Sequence, residues 1–173
     1  MDQTQAHDFA KDALVSSILE QVYPLLQKSN SHGLAVQEEN FKKFGKGYFQ
    51  STCFDELQNI WAGSSKDVLI ETFLTAWRIF QEKATEFLLD VSYDDDDTKS
   101  FVTILIKDQP FLVDTVLVTL KKHNQDPLFL FHPVFNVFFF FFSILCDVKG
   151  PEKGGDQESL ISFCLDNDKL DLE

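Results

Sequence analysis

Asp108 and Asp114 flank Gln109-Pro110-Phe111 where a strand-like run gives way to a helical one. Backbone N–H groups at a helix N-terminus receive a carboxylate, so Asp108, Gln109, Pro110, Phe111 and Asp114 are the candidate ligand-binding residues, suited to a small acid such as an amino acid. The same residues have ordinary structural uses. Asp108 caps a helix by accepting from its first N–H groups, and Asp114 complements the helix dipole; the residue pattern favours these uses over a ligand. His132 titrates near neutrality and suits acid–base work, but it stands before Pro133 without an identifiable carboxylate or nucleophile partner, and reads as a buried, hydrogen-bonded strand residue. Asp94-Asp95-Asp96-Asp97 offers oxygen ligands to a hard cation but lacks the glycine and distal glutamate of an EF-hand loop, so it reads as a solvated turn. No G-x-G-x-x-G or P-loop provides a nucleotide-phosphate cradle.

The elements that must position these residues form a β-α-β unit over 101–135. Phe101-Val102-Thr103-Ile104-Leu105-Ile106 is β-branched and aromatic, and apolar on both faces like a central strand. Asp108 is the expected cap of the following helix and Pro110 the expected first-turn residue. Leu112, Val113, Val116, Leu117 and Leu120 recur at helical spacing, and Lys121, Lys122 and His123 close the helix with charge that suits its dipole. His132-Pro133 opens the second strand.

Upstream, the periodicity predicts helices over about 6–23, 36–49 and 55–61, and one opened by Ser64-Ser65-Lys66-Asp67 with Leu69, Phe73, Ala76, Trp77 and Phe80 on one face. Pro24 is expected to kink or end the first helix, and Gly45 and Gly47 to weaken the second. Phe87, Leu89, Val91 and Tyr93 alternate with Leu88, Asp90 and Ser92, predicting a half-buried strand that returns antiparallel through Phe101. Leu128 to Cys146 carries no Asp, Glu, Lys or Arg, but His132, Pro133 and Asn136 interrupt it and its flanks are acidic, which favours a long strand over a membrane helix. The phenylalanines Phe138, Phe139, Phe140, Phe141 and Phe142 are apolar on both strand faces, making them the candidate interface residues. A Gly-rich connector, 149–156, precedes a final strand over 159–165 expected to pair with that run.

Composition narrows the function classes. The chain has 173 residues, a formal net charge of −13 and a pI near 4.6, which opposes nucleic acid and anionic membrane surfaces. The polar N-terminus has no signal-peptide organisation, so cytoplasmic residence is expected. Cys53, Cys146 and Cys164 lack C-x-x-C spacing, which argues for structural cysteines, with neither a disulfide framework nor a zinc site.

Lys107-Asp108-Gln109-Pro110-Phe111-Leu112-Val113-Asp114-Thr115-Val116, then His132-Pro133-Val134 and Glu158-Ser159-Leu160-Ile161, resembles the N-terminal region of the large bacterial NAD-specific glutamate dehydrogenases. Tyr48-Phe49, Phe54-Asp55-Glu56-Leu57 and Thr75-Ala76-Trp77-Arg78-Ile79-Phe80 are similar to that family's helical lead-in, so the resemblance covers roughly 40–166. It implies an α+β fold, with a helical segment over 1–85 packed on an antiparallel ferredoxin-like (ACT-like) module over 86–173. That module is expected to be truncated, its second helix and closing strand lying beyond Glu173, and Leu172-Glu173 fits a cloning remnant. The implied role is noncatalytic, in regulation or assembly, without a cofactor or catalytic residue here. The parent would use NAD to convert glutamate to 2-oxoglutarate and ammonia. The implied partners are the parent's downstream catalytic part, further copies of the chain and an amino-acid effector. Phe111 stands where many amino-acid-binding ACT modules have glycine, which restricts backbone approach. The alternatives are a stand-alone amino-acid-binding or oligomerisation module, a small enzyme built on His132, and a membrane-associated protein.

Overall fold

A computed structural model describes residues 3–29, 38–82, 87–140, 143–147 and 156–167. Four helices come first: α1 (Gln3–Ser29), α2 (Glu38–Gln50), α3 (Phe54–Ala62) and α4 (Lys66–Glu82). Cys53 starts α3, its Sγ accepting the Glu56 N–H at 3.4 Å, and α4 opens after Ser65, whose carbonyl accepts from the Leu69 N–H at 2.9 Å. Of the two effects expected at Pro24, an end to the helix does not occur: α1 runs on to Ser29, with Val22 and Leu26 buried on either side of the proline, and that burial outweighs one lost backbone bond. Nor does α2 fail at its glycines. A Cβ at Gly45 would overlap Leu19, so glycine there lets α2 lie directly against α1.

The sheet follows, with β1 (Phe87–Tyr93), β2 (Lys99–Lys107), helix α5 (Leu112–Lys122), β3 (Phe129–Phe131), β4 (Val134–Phe140), β5 (Ser143–Asp147) and β6 (Asp156–Asp166). Its order is β1-β2-β6-β4-β5, antiparallel at every pairing, with β3 also on β6. Phe131 opposes Ser162 and Val134 opposes Ser159, so β3 and β4 keep one register and form a single line, broken where Pro133 has no N–H to give. The apolar run then folds back through β5, Asn136 opposite Asp147, instead of continuing as one strand to Cys146. Among the described residues no helix is long and apolar enough to cross a membrane. The side chains of Phe138 to Phe140, all of residues 141–142, residues 148–155 with nearly all of the connector, and the Cys146 side chain lie outside the description, and with them the expected Phe interface.

Inserting β6 between β2 and the β3–β4 line gives the split β-α-β arrangement of a ferredoxin-like module. The edge beside β2, where a closing strand of such a module sits, is occupied by β1. Strand alternation divides the side chains between two faces. Phe101, Leu105, Leu160 and Cys164 lie on the face packed by α4 and α2, in one core with the fully buried rings of Phe41, Phe44, Tyr48, Phe49 and Phe73. Val102, Ile161 and Phe163 face α5, through Leu112, Val113, Val116 and Leu120.

Candidate functional site

The site forms where β2 runs into α5. The Asp108 N–H donates to the Gln157 carbonyl at 2.8 Å, carrying the β2–β6 pairing one residue past Lys107 and pinning the turn to β6. That bond aims the Asp108 carboxylate at Ser159, which is fully buried on the α5 face of β6 and donates its hydroxyl to Asp108 Oδ1. His132, opposite Ile161 in the β3–β4 register, reaches the same serine: Nε2 lies 3.1 Å from Ser159 Oγ. No partner for His132 was legible in the sequence, because residues 108, 132 and 159 meet only through strand pairing.

The bonding order limits the chemistry. Ser159 has one hydrogen and gives it to Asp108, so its oxygen accepts from the His132 Nε2–H, and histidine is here a donor to serine and not its base. A nucleophile triad would need the opposite polarity, with the carboxylate behind the histidine. Burial lowers the His132 pKa below its ordinary 6.5, and the charge of Asp108 partly opposes that shift. What the relay can do is hold a carboxylate in place and pass the effect of a charge near Asp108 to His132.

The turn departs from its expected roles. Asp108 is not the cap of α5 and Pro110 lies ahead of the helix; Phe111 is the N-cap residue and makes no side-chain cap bond. Its backbone sits in the left-handed region, φ 65° and ψ 15°, with the ring 75% exposed. A bulky residue held there carries strain, and the glycine expected at this place in ACT modules would carry none. The Phe111 carbonyl still accepts the Thr115 N–H at 2.9 Å, so the helix starts cleanly while its first-turn donors lack a side-chain cap. Gln109, Pro110 and Asp114 remain exposed in this turn and outside the relay. Ser159 was not among the sequence-predicted site residues; its signal was its place in the Glu158-Ser159-Leu160-Ile161 block.

Other candidates resolve structurally. Asp94 accepts from the Thr98 hydroxyl and from the Lys99 N–H at 2.8 Å, which closes its turn and holds its carboxyl below the usual range. Among the described residues no group of three His, Cys, Asp or Glu is placed to hold a metal. Burial pushes the Cys164 thiol up to about 11.

Residues 44–170 match the family described as glutamate dehydrogenase, ACT1 domain. No curated protein and no solved structure matches the chain.

Proposed function

The chain belongs to the glutamate dehydrogenase ACT1 domain family, and from that premise we propose that it is a noncatalytic, amino-acid-sensing module of an NAD-dependent glutamate dehydrogenase. The observation that supports this reading is the meeting of Asp108, Ser159 and His132 beside a helix N-terminus without a side-chain cap. A free amino acid carries one charge of each sign. Its carboxylate suits the first-turn N–H groups of α5, and its ammonium suits Asp108, whose oxygen Ser159 holds in place. The parent reaction would be oxidative deamination of glutamate to 2-oxoglutarate and ammonia. NAD and the catalytic residues would belong to a downstream part of the parent, an assembly of several copies in the cytoplasm.

Calorimetric titration of the chain with an amino-acid panel that includes glutamate tests the reading. Saturable binding is expected, weakened about tenfold or more in Asp108→Ala, since a hydrogen bond to a charged group contributes about 1.5–3 kcal/mol. Absence of binding by a well-folded sample would overturn sensing and leave assembly through the Phe-rich run 138–142 as the role of the module.

A further inference from the structure

The Asp108–Ser159–His132 relay is closed at its centre and open at both ends. Ser159 is fully buried, whereas the Asp108 carboxylate and the His132 ring are only partly covered, so that solution reaches each of them separately. His132 commits its Nε2–H to Ser159 Oγ, which leaves Nδ1 as the atom that takes up a proton from solution. Protonation there breaks neither bond of the relay: Nε2 still donates to the serine, and the serine hydroxyl still donates to Asp108. It adds a positive charge at one end of a chain whose other end is a carboxylate. The relay therefore joins two charges that can be changed independently, one by pH and one by whatever settles on Asp108.

Among the described residues, Asp108 is the charged group that acts on the ring. On this face β6 presents Ser159 and Ile161, and α5 turns Leu112, Val113, Val116 and Leu120 to the sheet. The charges of α5 lie elsewhere, Asp114 exposed near its start and Lys121 and Lys122 in its last turn. Lys107 and Glu158 oppose one another on the other face of the sheet, one step along from Asp108 and Ser159. A single hydroxyl 3.1 Å from the ring bridges it to Asp108, which keeps the two charges inside the range of about 6 Å over which opposite charges favour each other. An ammonium group seated on Asp108 competes with the imidazolium for the same negative charge. Linkage makes the competition reciprocal: the factor by which the bound ammonium disfavours protonation of His132 is the factor by which protonation weakens the ammonium's hold.

We infer that His132 makes effector binding pH-dependent: an amino acid seated on Asp108 is held more tightly in neutral than in acid solution, and its binding expels a proton from the ring. This deepens the amino-acid-sensing reading and rests on it. The ring's folded pKa lies below 6.5, so the loss of affinity falls in the acid range, with neutral His132 and full affinity above it. The test titrates each amino acid of the panel, glutamate first, into the 173-residue chain at about pH 7.5 and about pH 5 by calorimetry. Affinity is expected to be at least threefold weaker at the lower pH. Repeating the titration near pH 6 in two buffers of different ionisation enthalpy should show net proton release on binding. His132→Gln keeps an N–H donor for Ser159 but cannot titrate; in this variant the ratio of the two affinities should shrink at least twofold and the proton release should disappear. Failure of every amino acid to bind at either pH would overturn the sensing reading and this inference with it. Binding that is equal at both pH values, tighter in acid, without proton release, or as pH-dependent in folded His132→Gln as in the natural chain would overturn the coupling alone and leave sensing in place.

Discussion

The two faces of one sheet are built to different standards. Toward the N-terminal helices, β2 and β6 present a buried aromatic core in which Phe44 lies 5.0–5.9 Å from the rings of Tyr48, Phe73, Trp77, Phe80 and Phe135. Toward α5 the same strands present a smaller cluster under a helix with no fully buried residue, and at its N-terminus a polar relay. Strand alternation thus separates a tightly packed aromatic face from one that carries the polar relay. The helical face fixes the sheet, which leaves the α5 face, with fewer buried apolar contacts, as the place where local adjustment costs least.

Mutations break or sharpen that contrast. Phe44→Ala should cost about 3–5 kcal/mol in denaturant unfolding, against roughly 1 kcal/mol for Val116→Ala on the half-buried α5. Equal losses would remove the distinction between the faces. Next in size is Tyr48→Phe. The Tyr48 hydroxyl is bonded to Ser162 inside the aromatic core, burial raises its pKa far above the phenol's ordinary value, and its removal should cost about 1–3 kcal/mol by stranding the serine. The opposite sign is expected at Phe111→Gly, where release of left-handed strain exceeds the entropy cost of glycine and thermal unfolding should show a gain of about 1 kcal/mol.

The smallest effect is a pH dependence. His132 has a folded pKa below 6.5, so the unfolded chain binds more protons as the solution is acidified. Its contribution is present in full above the unfolded pKa and is lost as pH falls through the folded one. Stability measured between pH 7 and 5 should therefore fall more steeply for the natural chain than for His132→Gln.

Much of this arrangement was legible because periodicity is local. The helices up to Glu82, the β1–β2 hairpin and the β2–α5 step follow from spacing within short windows, and the block from Lys107 to Val116 carried the family resemblance. What stayed hidden depends on the third dimension. Alternation in β1 marks two faces without saying which is covered, so Leu89 and Val91 read as buried until α4 and α5 are placed. Asp108 is a good cap in isolation, but Ser159 competes for its carboxylate from fifty-one positions away. Pro24 and Gly45 break helices by propensity alone, whereas here the packing of α1 against α2 overrides the penalty.

The most direct test of the account is an NMR titration of the His132 ring, in the chain alone and saturated with the amino acid that binds tightest in the panel. A pKa below 6.5 in the free chain, lower still in Asp108→Asn and displaced by the ligand, is the predicted result, because the Asp108 charge supports the protonated ring and a bound ammonium would neutralise that charge. A ring that titrates at its ordinary value and responds neither to Asp108 nor to any amino acid would contradict the account, since the relay would then be absent in solution and the turn would have no sensing role.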